Sequence, residues 1–481
     1  MTSTSKDVYL VIGGSGFLGR HIVNALLARG DTASVFDIVQ RYHDVPFYSG
    51  DITEQSSISE ALTKSGATCI IHTASPPHGL DDDALYWKVN VEGTSAVIAA
   101  AIANKVQKLV FTSSAGIVFD GSNIIGADER LPAPERAMDA YNESKAKAEE
   151  IVLAANGNGG LLTVALRPAG IYGPGDRQVM QGLYEVYNRG QTHFQIGDNT
   201  NLFDWSYVEN VAYAHLLAAD KLVDPGPERD PLEPLSLSAE ETEMLDRYLP
   251  PIRLSTGDHR IPTSEARPPG PTLQQSPESS RVTQNFYDPS FQHQPRPIVR
   301  TKFDALSETA LSRAETSPLQ VAGQVFFITN GEPVYFWDFT RYVWNELDKI
   351  VDPEGKEKRL EKRRIVFPQS LGYVFASLAE FWGWLRGKPH MFTRFRVAYS
   401  CGVRWHNIEK ARRVLGYEPQ VGVEEGIKRM ITVRYDLRFQ RLRQLTDIPS
   451  GGSRRMGRNP LRQNTRVCGI YSICGWQGVF G

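Results

Sequence analysis

The chain has 481 residues, 53 basic and 55 acidic side chains and a formal net charge of −2, with 41% hydrophobic and 22% charged residues. That balance describes a soluble globular protein long enough for two or three domains, without the basic excess that marks a nucleic-acid binder. Cys69, Cys401, Cys468 and Cys474 form no CxxC pair and are too scattered for a disulfide scaffold, which points to a reducing compartment, and the opening MTSTSKDVYLVIGG has no signal-peptide pattern.

Residues 7–222 alternate short apolar runs with amphipathic stretches. Strands are expected at Val8–Ile12, Ala33–Phe36, Cys69–Thr73, Lys108–Thr112 and Leu162–Leu166. Helices are expected at Gly19–Arg29, Ser56–Ser65, Val91–Asn104 and Asp139–Ala155. The alternation makes this an α/β protein with a doubly wound parallel sheet, Rossmann-like in layout. From 223 to 319 the period stops, and 14 of the 29 prolines fall between Pro225 and Pro297. Such a stretch cannot bury enough apolar surface to offset the entropy of ordering it, so a disordered insertion is expected. Order returns with the strand at Gln324, the Asn330-Gly331 turn and a helix at Phe336–Lys349. A helical pair follows at Asn407–Leu415 and Val423–Tyr435. The tail from Ser450 holds Arg454, Arg455, Arg458, Arg462 and Arg466 and no acid, and reads as a flexible end.

The first strand runs into Gly13-Gly14-Ser15-Gly16-Phe17-Leu18-Gly19, and a helix follows. Gly13 allows a sharp turn off the strand, Gly16 lets backbone N–H groups approach a pyrophosphate, and Gly19 lets the helix pack close to the sheet. The helix start supplies unpaired N–H donors to the anion. Asp37, at the end of the next strand, suits an adenine-ribose diol and repels a 2′-phosphate, which favours NAD. Arg41 leaves NADP open. Asp51 stands where a third strand ends and suits either the adenine side or a helix cap.

Tyr141 and Lys145 are spaced one helical turn apart. An ammonium group and a positive nicotinamide ring would pull the phenol down from its ordinary value of about 10 and make it a base. Ser113-Ser114, after the strand Lys108–Thr112, offers a hydroxyl to hold a substrate oxygen.

These residues resemble the extended short-chain dehydrogenase/reductase family, and within it the 3β-hydroxysteroid dehydrogenase branch, over roughly 7–222 and 320–437. The family's opening threonine is Ile12 here. The resemblance implies Gly13, Gly16 and Gly19 as cofactor glycines with Phe17 and Leu18 between them, Asp37 on the ribose, and Asp51 and Ile52 on the adenine side. It further implies Thr73 and Ala74 on the loop His72–Ser75, Asn90 as a buried helix asparagine, and Pro168 in the segment Arg167–Asp176 beside the nicotinamide. Ser114, with Ser113 as the weaker choice, Tyr141 and Lys145 take the catalytic places; no metal is expected. Asp204–Ala212 and KARRVLGYEP match the extended family, and GEPVYFWDF is more typical of its sterol enzymes.

The implied activity is oxidation of the 3β-hydroxyl of a 4α-carboxysterol by NAD, with loss of CO2, in sterol C4-demethylation (ergosterol-type in a fungus). The implied place is the cytosolic face of the endoplasmic reticulum membrane. Expected partners are the sterol, other C4-demethylation enzymes at the membrane and a second copy in a homodimer, with no nucleic acid. The group that takes the substrate carboxylate is not legible; Arg177 follows the PGD turn within reach of a pocket, but reads more readily as an exposed surface residue. Another 3β-hydroxysteroid dehydrogenase, a nucleotide-sugar epimerase or dehydratase of the same fold, and a nicotinamide-sensing scaffold are the competing readings.

The expected organisation is a dinucleotide-binding domain at 1–222, with 168–205 contributing to the substrate pocket. The insertion at 223–319, a smaller, mainly helical substrate lobe at 320–447 and the tail at 448–481 complete it. Within the lobe, 365–387 holds the longest apolar stretch, with Leu371, Val374, Phe375, Leu378, Phe381, Trp382 and Leu385 on one stripe. Glu380 and Gln369 interrupt it, and it is marginal against the roughly 20 apolar residues of a spanning helix. Basic residues at both ends suit a helix lying in a membrane interface. A core helix would show the same stripe.

Overall fold

The apolar runs of the first half become strands of one sheet. They are β1 Val8–Ile12, β2 Thr32–Asp37, β3 Phe47–Ser49, β4 Cys69–His72, β5 Lys108–Thr112 and β6 Leu162–Pro168. A seventh, β7 Gln324–Ile328, joins them from far down the chain. The order is β3-β2-β1-β4-β5-β6-β7, and every adjacent pair is parallel. The order reverses at β1, so a crevice opens beyond the carboxyl ends of β1 and β4, the usual ligand position in such sheets. This computed structural model describes residues 7–224, 239, 306, 319–352, 363–386 and 393–433. Nearly all of 223–319 and the whole tail 448–481 lie outside the described residues, and so do Lys356–Lys362 before the apolar helix.

Alternate strand residues feed two cores, which is why the strands read as continuous apolar runs. Tyr9, Val11, Ile71 and Val110 pack against the face that carries helices α1 Phe17–Arg29 and Val208–Lys221. Leu10, Ile12, Ile70 and Phe111 meet α2 Gln55–Ser65, α3 Thr94–Ala103 and α4 Ala140–Ala154 on the other. Each fully buried large side chain contributes roughly 1.5–3 kcal/mol. Gly30 and Gly66 end α1 and α2 in left-handed conformations, φ 86° and 64°. The helix expected from Val91 begins earlier: Trp87–Gly93 forms a π-helical turn that leads into α3. There Gly93 lies against Ile52, where a Cβ would come within 2.9 Å of its Cγ2. The expected helix at Asn407–Leu415 is shorter, a π-helical turn at Ala411–Leu415 preceded by helical Glu409 and Lys410.

The described residues fall into two units. Those within 1–172, 199–339 and 401–426 form one unit, and those within 173–198, 340–400 and 427–481 another. The cause is pairing: β7 adds to β6 with Ile328 opposite Pro168. Arg404–His406, Ile124–Ala127, Leu202–Phe203 and Val334–Tyr335 also share a four-stranded sheet in the first unit. The GEPVYFWDF segment belongs to this interior. Glu332 accepts the Val423 N–H at 2.9 Å, and Phe339 stacks on Trp205 at 4.0 Å.

The second unit pairs Phe194–Ile196 with Ile365–Phe367 in parallel. It also contains helices Val179–Asn188 and Gln369–Leu385. The stripe of Gln369–Leu385 is not in a core: Leu378 is 60%, Phe381 59% and Trp384 75% exposed, and Gly372, Ala376 and Gly383 form the buried side. No helix among the described residues is long and apolar enough to cross a membrane.

Candidate active site

The glycine loop is built by close approaches. Gly13 has φ +83°, and a Cβ there would stand 2.7 Å from the Ala74 backbone nitrogen. A Cβ on Gly19 would stand 2.2 Å from the Gly13 carbonyl oxygen. The Gly13 N–H donates to the Phe36 carbonyl at 2.9 Å, and the Gly16 N–H to the Gly13 carbonyl at 2.9 Å. Gly16 caps α1 with no side-chain cap, which leaves the helix's first N–H groups, at Phe17 and Leu18, for an anion. Leu18 itself is core, and the Phe17 ring meets His21 edge-on at 5.9 Å.

Around this loop, Asp37 accepts the Ser15 N–H at 3.0 Å and the Ile38 N–H at 2.8 Å. The carboxylate is thereby fixed at the end of β2. Arg41 donates to the Ser15 carbonyl at 3.2 Å. Asp51 accepts both the N–H and the hydroxyl of Thr53, at 2.9 and 2.8 Å. These bonds, the backbone one foremost, hold its carboxyl below the ordinary carboxylate range. Thr73 donates to the Ile12 carbonyl at 3.0 Å, and Ala74 closes the other side of Gly13. Ile52 is buried. Asn90, also buried, donates to the Ser144 hydroxyl at 2.9 Å and so ties the π-helical turn to α4. A loop with no room for a Cβ, a helix start without a side-chain cap and an acid at the next strand end fit a dinucleotide.

The catalytic candidates converge at the carboxyl end of β5. Asp139 caps α4, accepting the Asn142 N–H at 2.7 Å, a contribution of about 1 kcal/mol, and so sets where Tyr141 stands. The Tyr141 hydroxyl shares hydrogen bonds with Ser114 and Ser75. Ser114, not Ser113, therefore meets the tyrosine; its Oγ also accepts the Gly116 N–H at 3.0 Å. Ser113 instead donates its N–H to the Leu166 carbonyl at 2.7 Å, and its buried Oγ has no partner among the described residues. Lys145 donates to the Thr112 carbonyl at 2.5 Å and lies 4.4 Å over the Phe111 ring.

The expected lowering of the phenol does not arise from the protein alone. Burial, followed by the charge of Asp139 and the neighbouring Tyr86, pushes Tyr141 up to about 12, against the pull of Ser114 and Ser75. Burial likewise lowers Lys145 to about 7, partly opposed by Glu149. Glu149 is itself held by Arg167 in a buried pair with contacts of 3.0 and 3.2 Å. Pro168 follows Arg167 at the end of β6.

The segment Asp204–Ala212, which matches the extended family, is tied into the fold by hydrogen bonds. Asp204 accepts the His406 N–H at 2.7 Å, and Asn210 accepts the N–H groups of Gln420 and Val421 at 2.9 and 3.1 Å. Arg177 is exposed. Sequence reasoning missed Ser75 and the ring neighbours of Tyr141. No periodicity marks them, although Ser75 ends the loop segment already singled out.

The family model described as the 3-beta hydroxysteroid dehydrogenase/isomerase family matches residues 10–232. A sterol-4-alpha-carboxylate 3-dehydrogenase, decarboxylating, of Schizosaccharomyces pombe is 37% identical over 88% of this chain and 96% of its own. The enzyme of the same name from Saccharomyces cerevisiae is 35% identical over 88% and 97%. Among solved structures, an epimerase of Methanothermobacter thermautotrophicus matches with a TM-score of 0.56, at 16% identity over 92% of this chain and 96% of that one. That likeness shows the fold, a parallel sheet with flanking helices. By the length and identity of these matches, the chain belongs to the 3-beta hydroxysteroid dehydrogenase/isomerase family.

Proposed function

We propose that this protein oxidises the 3β-hydroxyl of a 4α-carboxysterol with NAD and releases CO2, as a step of sterol C4-demethylation. The observation that carries the proposal is the Tyr141 hydroxyl bonded to Ser114, with Lys145 one turn behind. It stands in a chain whose 37%-identical relative is named for this reaction. Ser114 holds the substrate oxygen and Tyr141 takes its proton, while Lys145 supports the tyrosine. When bound, the nicotinamide ring supplies a hydride acceptor and a positive charge beside the phenol. Loss of proton and hydride leaves a ketone at C3 next to the carboxylated C4. The C4–carboxylate bond of this β-keto acid then breaks, and its electron pair enters the C3 enolate, which is reprotonated at C4. Mass-spectrometric detection of the decarboxylated 3-keto sterol from a 4α-carboxysterol and NAD tests this; recovery of unchanged sterol counts against it.

NAD is the cofactor we assign, because Asp37 puts a fixed negative charge at the ribose end of the loop. Asp37→Ser is expected to lower kcat/KM for NAD by about tenfold or more and to raise it for NADP, read from initial rates with each; unchanged discrimination would move the choice to another residue.

For place, we assign peripheral association with the endoplasmic reticulum membrane on its cytosolic face, alongside other C4-demethylation enzymes and as a homodimer. The helix Gln369–Leu385 supports membrane contact. Its apolar residues are exposed, its one acid Glu380 is paired with Arg394 at 2.7 Å, and Arg386 lies 4.6 Å over Trp382. Arg363 and Arg364 are exposed before it. Each large apolar side chain moved from water into lipid contributes roughly 1.5–3 kcal/mol. Leu378→Glu with Phe381→Glu is expected to lower co-sedimentation with anionic vesicles by about tenfold or more without changing NAD affinity; equal sedimentation would contradict this surface.

A further inference from the structure

Two groups outside the proposed reaction sit against the catalytic tyrosine. The His78 ring meets the Tyr141 ring edge-on at 5.0 Å, and the Tyr86 ring meets it at 5.5 Å. His78 Nε2 lies 3.1 Å from Asp139 Oδ2. Asp139 is the cap of α4, and Oδ2 also accepts from Asn142 Nδ2 at 3.1 Å. Burial alone would raise the Asp139 carboxyl, yet the His78 hydrogen bond and charge, with the Asn142 donors, hold it below its ordinary value. An ionised carboxylate therefore stands two residues before the proposed base, and its charge opposes a phenolate there. The titratable or charged groups against Tyr141 are Asp139, the cap of its own helix, Tyr86 from Asp83–Tyr86, and His78 from the loop, while Lys145, one turn on, donates to the Thr112 carbonyl. That loop also carries Ser75, which bonds the Tyr141 hydroxyl, and Ala74, which closes on Gly13. The loop after β4 thus reaches the dinucleotide turn, the tyrosine hydroxyl and the cap of the tyrosine's helix.

We infer that His78 is a positioning residue for the dehydrogenation: by bonding Asp139 and packing on the Tyr141 ring, it fixes that ring and screens it from the carboxylate capping its helix. The inference rests on Tyr141 being the base. In its absence the ring loses one wall and the cap carboxylate faces the phenol unshielded, so deprotonation of Tyr141 is shifted to higher pH. Asp139→Asn keeps the cap, since asparagine caps helices as well as aspartate, but removes the charge.

The test is the pH profile of kcat/KM for the full chain with NAD and a 4α-carboxysterol. His78→Ala should lower kcat about tenfold, leave NAD affinity within about twofold, and raise the pH of half-maximal rate by about half a unit. His78→Gln, which keeps a donor to Asp139, should recover part of both. Asp139→Asn should move the midpoint down, and His78→Ala in that background should move it no further. A parental midpoint in His78→Ala, whatever its rate, overturns the inference. If His78→Ala does not fold, Asp139→Asn decides, and an unchanged or raised midpoint there overturns it. Tyr141→Phe is run alongside. Activity in that variant overturns the assignment of the base and this inference with it; loss of activity there with unmoved midpoints overturns this inference alone.

Discussion

Tyr141→Phe is expected to lower kcat with NAD and a 4α-carboxysterol by at least about a hundredfold, the lower end of what a positioned acid–base group contributes. NAD affinity should stay within about twofold, because the ring and its edge contacts with His78 and Tyr86 remain. Phenylalanine removes only the hydroxyl. What disappears is the hydrogen bond to Ser114 and Ser75 and the acceptor for the alcohol's proton. The sign of the pH dependence follows from the same groups. The proton must leave Tyr141 before it can accept another, and the protein by itself pushes that group up to about 12. Turnover should therefore rise with pH until the phenol is fully ionised, at a lower pH than the protein alone sets because a bound nicotinamide would supply a positive charge beside it. Rapid-quench measurement of hydride transfer at several pH values checks both points; near-parental rates in the variant would remove Tyr141 from the chemistry.

Gly19→Ala should damage cofactor binding as severely, for a reason of space. The added Cβ would stand 2.2 Å from the Gly13 carbonyl oxygen and 2.8 Å from the Gly14 Cα, both backbone atoms that no rotamer change can move. The loop and α1 must separate, which displaces the N–H groups that hold the pyrophosphate. NAD affinity is expected to fall by about a hundredfold or more, near 2.7 kcal/mol, with a stability loss of about 1–3 kcal/mol. Gly30→Ala is the control. It adds a Cβ with nothing within 4 Å at φ +86°, so it should cost about 1–2 kcal/mol of stability and leave NAD affinity unchanged. Titration of NAD into both variants, with thermal unfolding of each, separates the two effects. Equal NAD affinity in Gly19→Ala would show that the turn does not cradle the cofactor.

The residues legible in the sequence are those whose signal is local. A strand buried on both faces must be apolar throughout, so β1, β4 and β5 announced themselves, and the glycines between β1 and α1 could be read because no other residue fits there. The Tyr–Lys pair was legible from one helical turn of spacing. The membership of β7 was not. Gln324–Ile328 looks like a strand, but which sheet it joins depends on pairing with Leu162–Pro168, more than a hundred residues earlier. That pairing places Gln324–Ile328 in the first unit. The apolar stripe of Gln369–Leu385 was visible, whereas its direction was not, because a core helix and a surface helix share one period. The electrostatics of Tyr141 lay beyond local reading, since Asp139, His78 and Tyr86 act on it through space and come from three separate segments.

In this chain, oxidation at C3 of a sterol is coupled to loss of the neighbouring carboxylate. An incubation of the purified protein with NAD and a 4α-carboxysterol, with NADH and CO2 quantified in the same sample, tests that coupling. NADH and CO2 are expected in equal amounts, both dependent on the sterol. Turnover of a UDP-sugar under the same conditions, with neither NADH nor CO2 formed from the sterol, would contradict it.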